Sequence, residues 1–302
     1  MIYDAIIIGG GPAGLSAAIY ASRARLKTLI IEKIGCGGQM TTTDLLENYP
    51  GFNAGINGFE LAVKLEKQAR DFGAEIVYGE ASAIERGSSK KVITAKYAYE
   101  TKTIIIATGT RAKKMNIPGE SEFIGRGVSF CAVCDAPFYR DKNVLVVGGG
   151  DSAVEEAVYI SKFAKDVTIV HRRNELRAAK ILQERMKLHP NISVIYDSVP
   201  KEIFGRDSVE KVTVTNIKTN ENRDLIIDGV FVFTGLIPNT LFLSGITLDK
   251  AGYIITDENM NTSSVGIFAC GDIRKKHLRQ VVTAVSDGAQ AAVSAQHCIE
   301  NL

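Results

Sequence analysis

The segment Ala5-Ile-Ile-Ile-Gly-Gly-Gly-Pro-Ala-Gly14 decides the fold that we predict for this chain. A short apolar run, typical of a buried strand, leads into a Gly-x-Gly-x-x-Gly turn at Gly9–Gly14. An alanine-rich stretch with helical character follows, and a second apolar run ends on Glu32. This order predicts a strand–helix–strand unit of about 30 residues, a unit that commonly binds dinucleotides.

A second copy of this layout lies in the middle of the chain. The apolar run Val144–Val147 leads into the glycine turn Gly148–Ala153, and after a helical stretch a further apolar run ends on His171. From the first turn glycine to the residue that ends the second run, the offset is 32 − 9 = 23 positions in one copy and 171 − 148 = 23 in the other. We therefore predict an α/β fold with two Rossmann-like dinucleotide-binding domains.

The later apolar runs indicate how the two domains are connected. Each copy is followed by a buried-type run that closes on Thr-Gly, at Gly109 and at Gly235, as is typical of central parallel strands. One more apolar run ends at the turn Gly271-Asp272. If that strand returns to the first sheet, the second domain is an insertion. We expect the first domain at residues 1–112 and 245–302 and the inserted domain at 113–244.

Composition and charge limit the classes of function. The chain has 302 residues, of which 45% are hydrophobic and 23% charged, as in ordinary soluble globular proteins. Its net charge of +2 (36 − 34) is too close to balance to indicate a nucleic-acid or a membrane partner. The first apolar run is far shorter than a spanning helix of about 20 residues. The five cysteines are an odd and sparse set, unlike a secreted disulfide framework, so we expect a cytoplasmic protein.

The residues at the shared offset suit nucleotides of different charge. Glu32 can accept hydrogen bonds from ribose hydroxyls and would repel a 2′-phosphate, which favours FAD or NAD. The second copy has His171-Arg172-Arg173 at this place, with Arg177 about one turn later if the segment is helical. Guanidinium groups bind phosphate well, which favours NADPH. The alternatives are glycine turns that serve packing alone and a basic run that is simply solvated.

Cys131 and Cys134 form a Cys-x-x-Cys pair that is followed by Asp135. Such a pair can close a reversible disulfide that exchanges with a partner thiol, and Asp135 is the nearest acid for proton transfer. A zinc site would need about two more ligands, and the remaining cysteines are dispersed, so we expect no metal. A pair of inert buried thiols is the other alternative.

In order and spacing, these motifs resemble those of the bacterial low-molecular-weight thioredoxin reductases along essentially the whole chain. The resemblance implies an NADPH-dependent flavoprotein disulfide reductase, a homodimer that acts on thioredoxin or a similar small dithiol protein. The FAD contacts that it implies are Gly9, Gly11, Pro12, Ala13, Gly14, Glu32, Lys33, Gly38, Gln39, Asn48, Gly109, Gly271, Asp272, Arg279, Gln280 and Val281. The NADPH contacts that it implies are Gly148, Gly150, Asp151, Ser152, Ala153, His171, Arg172, Arg173 and Arg177.

The resemblance also assigns roles in the redox centre. It implies that Cys134 faces the flavin, that Cys131 attacks the thioredoxin disulfide, and that Asp135 gives and takes the proton. The family commonly has Thr between the cysteines and Gly after the aspartate, where this chain has Val133 and Ala136-Pro137. Because proline restricts the residue before it, we expect the turn to differ locally.

Two other functions compete with thioredoxin reduction. A flavoprotein of the same architecture could serve another acceptor, such as a peroxiredoxin-linked glutaredoxin-like protein. However, the first glycine turn begins at Gly9, so we expect no extra N-terminal redox domain of the kind found in the fused peroxide-reducing relatives. The second alternative is a redox sensor that holds FAD without turnover, and two complete nucleotide motifs argue against it.

Overall fold

The computed structural model describes residues 2–87 and 89–301. By contacts the chain divides into unit 1, Met1–Arg111 with Ile237–Leu302, and unit 2, Ala112–Leu236, so that unit 2 is inserted in unit 1. The second crossing lies at residue 236 and not at residue 244 as expected. The reason is that Asn239 already belongs to unit 1, where its side-chain Nδ2 donates to the carbonyl of Thr108 over 2.8 Å.

Both units contain strand–helix–strand segments and also runs of consecutive strands. The described strands are β1 (Ile2–Ile8), β2 (Thr28–Glu32), β3 (Glu75–Tyr78), β4 (Ala81–Glu85), β5 (Lys90–Thr94), β6 (Ala98–Ile106), β7 (Thr110–Ala112), β8 (Val128–Ser129), β9 (Asn143–Val147), β10 (Asp166–Val170), β11 (Ile192–Ile195), β12 (Ser198–Gly205), β13 (Val209–Asn216), β14 (Asn222–Ile226), β15 (Gly229–Val232), β16 (Leu236–Pro238) and β17 (Ile267–Ala269). The described α-helices are α1 (Pro12–Arg23), α2 (Gly58–Asp71), α3 (Ala132–Asp135), α4 (Asp151–Ile160), α5 (Lys180–Met186) and α6 (Val281–Glu300).

Unit 1 is built on a sheet in the order β3-β2-β1-β6-β5-β4, with β17 also paired to β6. The pairs β1–β2, β1–β6 and β2–β3 are parallel, whereas β4–β5 and β5–β6 are antiparallel. The strand β17 lies parallel to β6, with Ile267 opposite Ile104. The last apolar run therefore returns to the first sheet, which confirms the inserted arrangement.

Both faces of the unit 1 sheet are buried where its central strands end, which is why Ala5–Ile8 of β1 and Ile104–Ile106 of β6 are continuous apolar runs. Ile7 packs in a cluster with α1 and α6, whereas Ile6 and Ile8 pack in a second cluster on the other face. The helices α1 and α6 lie very close together because both present small residues. Gly288 of α6 lies against the Ala13 carbonyl of α1, where a Cβ would overlap the oxygen.

Unit 2 contains a parallel sheet in the order β11-β10-β9-β15-β8 and an antiparallel meander, β12-β13-β14. Its core likewise has two parts. Val146 packs in a cluster with α4, and Leu145 packs in a cluster with the meander. The crossing strands β7 and β16 pair with each other. None of the described helices has the length and apolar composition needed to cross a bilayer.

Candidate active site

The first glycine turn joins β1 to α1. Gly9 has φ +106°, and a Cβ there would lie 2.5 Å from the Ala107 carbonyl oxygen, so the turn requires glycine. The helix begins with Pro12, and its N-cap residue Gly11 makes no side-chain cap. The first N–H groups of α1 therefore remain available to an anion such as a pyrophosphate.

Glu32 lies at the end of β2 and braces this turn. Its Oε2 accepts the Gly10 N–H over 2.6 Å, and its Oε1 accepts the Ile34 N–H over 3.0 Å. A carboxylate held so close to the turn places negative charge where a ribose would follow the pyrophosphate. The side chain of Lys33 is directed to Glu80, with which its ammonium forms an exposed ion pair at 2.7 Å.

The loop after β2 folds back onto the first turn. The Gly37 N–H donates to the Gly10 carbonyl over 2.7 Å, and Gly38, with φ +58°, packs against Gly11. Gln39 donates through Nε2 to both the carbonyl and the hydroxyl of Thr110, at 2.6 and 2.7 Å. The expected contact Gly109 immediately precedes Thr110 and has φ +59°.

The C-terminal contacts converge on the same region. Gly271, with φ +76°, packs against Ala13, where a Cβ would lie 2.8 Å from the Ala13 Cβ. Asn48 donates through Nδ2 to the Gln280 Oε1 over 3.0 Å. Gln280 is the N-cap of α6, and Val281 is the first residue of that helix. The structure thus brings together segments that lie more than 200 residues apart in the sequence.

Two polar atoms in this region are buried without a hydrogen-bond partner among the described residues, the Asp272 Oδ1 and the Arg279 Nε. Burial raises the pKa of the Asp272 carboxyl, while Lys276 and Arg279 oppose that rise. The Arg279 guanidinium lies 4.1 Å from the centre of the Tyr253 ring. A buried polar atom without a partner is costly, so both atoms fit a site that binds a polar ligand.

The second glycine turn reproduces the geometry of the first. The Gly148 N–H donates to the Val170 carbonyl, as the Gly9 N–H donates to that of Ile31, at 3.1 and 2.9 Å. A Cβ on Gly148 would lie 2.6 Å from the Phe233 carbonyl oxygen. The N-cap residue Gly150 makes no side-chain cap on α4. A second anion can therefore bind at this helix start.

The expected residues around α4 divide into packing residues and exposed residues. Ala153 is buried against Gly148, whereas Ser152 is exposed at the helix start. Asp151 accepts the Ala179 N–H over 2.8 Å through its side chain. Asp151, the first residue of α4, is therefore bonded to the end of the loop that carries the basic residues.

The basic residues after β10 have different environments. His171 is buried beside Gly149, with its Nε2 unpaired among the described residues, and burial lowers its pKa, so the ring is neutral at neutral pH. Arg172, Arg173 and Arg177 are exposed. The segment that holds them is not helical, but the Arg177 N–H donates to the Gly149 carbonyl over 2.7 Å. Arg177 is thus tied to the glycine turn by its backbone.

Cys131 and Cys134 form a disulfide with Cα atoms 5.4 Å apart. The Cys131 Sγ accepts the Cys134 N–H over 3.2 Å, so Cys131 caps the short helix α3. The Ser129 hydroxyl accepts the Cys131 N–H and donates to the Cys131 carbonyl, at 3.1 and 3.2 Å. Asp135 closes α3 directly beside the pair. The two sulfurs therefore lie in a turn that is fixed by local hydrogen bonds.

The residues that depart from the family pattern fit this turn. Ala136 is fully buried in the unit 2 core and keeps helical angles, φ −54° and ψ −36°, although Pro137 follows it. The chain continues without a break into a 3-10 turn, Ala136–Tyr139. Ala136-Pro137 fits this turn, because the start of a helical turn accommodates proline without loss of a hydrogen bond.

The other cysteines are free and behave as packing residues. Cys270 is fully buried, and Cys36 and Cys298 are half-buried against the unit 1 core. No group of three or more His, Cys, Asp or Glu side chains able to hold a metal ion occurs among residues 2–87 and 89–301.

Sequence reasoning missed several residues that shape these sites. Thr110 receives both hydrogen bonds from Gln39, and Ser129 fixes the Cys131 backbone. Asp287 holds Arg274 and Lys276 behind the Gly271-Asp272 turn.

Comparison with known proteins agrees with this geometry. Residues 3–288 match the family model described as pyridine nucleotide-disulphide oxidoreductase. The chain is 49% identical to the thioredoxin reductase of Treponema pallidum, with 99% of this chain and 98% of that protein covered. It is 48% identical to the thioredoxin reductase of Bacillus subtilis, with 100% and 96% covered.

Solved structures give the same result. The thioredoxin reductase of Lactococcus lactis superimposes with a TM-score of 0.97 at 48% identity, with 99% of this chain and 100% of that chain covered. The thioredoxin reductase of T. acidophilum superimposes with a TM-score of 0.94 at 36% identity, with 98% of each chain covered. The chain therefore belongs to the pyridine nucleotide-disulphide oxidoreductase family, within its low-molecular-weight, bacterial thioredoxin reductase type.

Proposed function

We propose that this chain is an NADPH-dependent thioredoxin reductase that uses FAD in unit 1 and the Cys131–Cys134 disulfide in unit 2. The observation that carries the proposal is the disulfide in a unit that also holds a glycine turn and an exposed basic cluster. A separate glycine turn in unit 1 supplies the second nucleotide site. Relatives named thioredoxin reductase, matched over nearly the full chain, support thioredoxin as the acceptor.

The residues of unit 1 fit FAD. The open start of α1 suits the pyrophosphate, and Glu32 suits the ribose hydroxyls. The unpaired Asp272 Oδ1 and Arg279 Nε supply one acceptor and one donor for the remaining polar groups of the cofactor. When bound, FAD supplies two-electron transfer between a nicotinamide and a disulfide.

The residues of unit 2 fit NADPH. The start of α4 suits its pyrophosphate. Arg172, Arg173 and Arg177 suit the 2′-phosphate, because guanidinium groups bind phosphate in a bidentate manner and no acidic residue stands at the end of β10. The neutral His171 beside Gly149 adds no charge and supports the turn by packing.

Thiol–disulfide exchange then delivers the electrons to thioredoxin. The Cys131 thiolate attacks one sulfur of the thioredoxin disulfide and displaces the other sulfur as a thiolate. The Cys134 thiolate next attacks the Cys131 Sγ, which restores the Cys131–Cys134 disulfide and releases thioredoxin with two reduced sulfurs. The two protons of the enzyme dithiol pass to the thioredoxin thiolates, and Asp135 is the acid beside the pair that can carry one of them.

Thiol counting tests the proposal directly. The FAD-loaded protein is mixed with NADPH without oxygen, and its thiols are trapped with a maleimide and located by mass spectrometry. We expect new thiols at Cys131 and Cys134 and, with oxidised thioredoxin present, continuous NADPH oxidation. Cys131→Ser and Cys134→Ser should abolish that oxidation.

Cys298→Ser is the matched control, because Cys298 is free and packs against the unit 1 core. It should oxidise NADPH at the rate of the wild type. Absence of new thiols after NADPH addition would defeat the proposal in favour of a sensor without turnover. Turnover with another small dithiol protein but not with thioredoxin would reassign the acceptor.

Location and assembly complete the proposal. The sparse, odd set of cysteines supports a cytoplasmic enzyme, in a compartment that keeps free thiols reduced. We infer a homodimer from the family resemblance, and light scattering of the purified protein would measure its mass.

A further inference from the structure

Unit 1 contains a buried group of charges behind the Gly271-Asp272 turn. Its central member is Asp287, in the second turn of α6 and only 9% exposed. The Asp287 Oδ1 accepts from the Arg274 guanidinium over 2.9 Å. The Asp287 Oδ2 accepts from the Lys276 ammonium over 2.9 Å and from the Gly271 N–H over 3.1 Å. Asp287 therefore faces two cations and one backbone donor.

Lys276 lies between two carboxylates. Its ammonium is 2.9 Å from the Asp287 Oδ2 but 4.0 Å from the Asp272 Oδ1. The first distance is a charge-assisted hydrogen bond, and the second is beyond hydrogen-bonding range. The Lys276 side chain is only 10% exposed, so water screens neither interaction strongly. The Lys276 ammonium is thus hydrogen-bonded to Asp287 and not to Asp272.

Because Lys276 is bonded to Asp287, the nearby Asp272 carboxylate is left without this hydrogen bond. Its Oδ1 is buried with no hydrogen-bond partner among the described residues, although a lysine ammonium lies nearby. Without Asp287, a shift of little more than 1 Å would bring Lys276 into contact with this oxygen (4.0 Å against about 2.9 Å). A carboxylate oxygen paired with an ammonium is a poor acceptor for a ligand hydroxyl, because the new bond must first displace a charged partner.

We propose that Asp287 is a positioning residue that holds Lys276 away from Asp272, so that the Asp272 carboxylate remains open to a hydroxyl group of FAD. The inference rests on the proposed function, in that unit 1 binds FAD. It assigns Asp287 no contact with the cofactor. Asp287 acts through Lys276, and through the Gly271 N–H that fixes the turn.

The test compares FAD binding by four apoproteins, the wild type, Asp287→Asn, Lys276→Gln and the double variant, from the quenching of FAD fluorescence. Asparagine keeps the shape of aspartate and one acceptor for the Gly271 N–H but removes the charge. We expect Asp287→Asn to weaken FAD binding about tenfold, because the released Lys276 pairs with Asp272. The double variant has no ammonium to move, so it should bind within about threefold of Lys276→Gln.

This pattern separates positioning from a general structural role, in which the two substitutions would add. Equal FAD affinity of Asp287→Asn and the wild type would overturn the inference. So would a double variant as weak as Asp287→Asn. Loss of folding in both variants, seen by circular dichroism, would also overturn it, because Asp287 would then serve the fold. A wild-type apoprotein that does not bind FAD would instead defeat the proposed function.

Discussion

At the scale of single residues, the surroundings of Cys36 keep its thiol protonated. Burial, together with the charges of Glu66 and Glu32, raises the pKa of the Cys36 thiol to about 12. Because the folded-state pKa is raised, the thiol stays neutral at neutral pH and ionises only as the pH approaches that value. At about pH 8, only roughly one Cys36 in 10⁴ is a thiolate. We therefore expect iodoacetamide to label the reduced Cys131–Cys134 pair long before Cys36, as measured by peptide mass spectrometry.

Glu66→Gln provides the control for this prediction. It removes a negative charge beside Cys36 but leaves the burial, so labelling of Cys36 should rise modestly and remain slower than that of an unfolded chain. If Cys36 in the wild type reacts as fast as a cysteine in the unfolded protein, burial does not control its reactivity.

Single residues also show what the sequence can and cannot predict. Gly9 and Gly148 were predictable, because a turn between strand and helix with positive φ leaves few alternatives to glycine. Lys33 and Asp287 were not. Lys33 follows Glu32 in the motif yet pairs with Glu80, 47 positions away. Asp287 gains its role from partners 11 to 16 positions earlier, which no local pattern encodes.

At the scale of secondary structure, the contact between α1 and α6 depends on Gly288. Alanine in a helix interior is ordinarily more stabilising than glycine by about 1 kcal/mol. Here the added Cβ would overlap the Ala13 carbonyl oxygen and lie 3.0 Å from the Ala17 nitrogen, both backbone atoms that cannot move aside alone. We expect the steric cost to dominate, so that Gly288→Ala lowers the free energy of unfolding by about 1–3 kcal/mol in urea titrations.

Gly35→Ala is the matched substitution at a position with open space, since no heavy atom lies within 4 Å of its added Cβ. It should change the free energy of unfolding by less than about 0.5 kcal/mol. A Gly288→Ala variant as stable as the wild type would show that the two helices can separate without cost.

We expect the loop after β10 to determine the choice of nucleotide. Arg172 and Arg173 are exposed. In the proposed site they bind the 2′-phosphate, so their replacement should weaken NADPH binding and leave NADH binding nearly unchanged. We expect Arg172→Ser with Arg173→Ser to reduce the preference for NADPH over NADH about a hundredfold, read from kcat/KM with each nucleotide. Arg206→Ser, an exposed arginine on the loop between β12 and β13, serves as the control. A preference that survives the double substitution would remove these arginines from the 2′-phosphate site.

The same loop limits prediction from periodicity. The spacing of Arg173 and Arg177 permits a helical turn, yet the segment is not helical. Its course is set by two hydrogen bonds, from the Arg177 N–H to the Gly149 carbonyl and from the Ala179 N–H to the Asp151 side chain. By contacts unit 2 ends at Leu236, earlier than the expected residue 244. The strand β16, which begins there, is only three residues long and pairs with β7 far back in the chain. Short elements held by distant partners leave little periodic signal.

At the scale of the whole molecule, the insertion makes the two units unequal as folding units. Unit 2 is a continuous stretch, Ala112–Leu236, with its own buried clusters around Val146 and Leu145. Unit 1 is divided, because β17 completes the sheet beside β6 and α6 covers α1. We therefore expect residues 112–236 to fold alone, with a cooperative thermal transition in near-ultraviolet circular dichroism and a rise in Tm on adding NADPH.

Residues 1–111 alone provide the comparison. Without β17 and α6 this fragment leaves the apolar face of α1 and one side of β6 uncovered, so it should show no cooperative transition and should bind a hydrophobic dye. Mixing it with residues 237–302 should restore the cooperative transition, because the second fragment supplies β17 and α6. A fragment of residues 112–236 that melts without cooperativity would mean that the unit 2 core depends on unit 1. The turn that holds the electron-accepting disulfide would then be folded only in the complete chain.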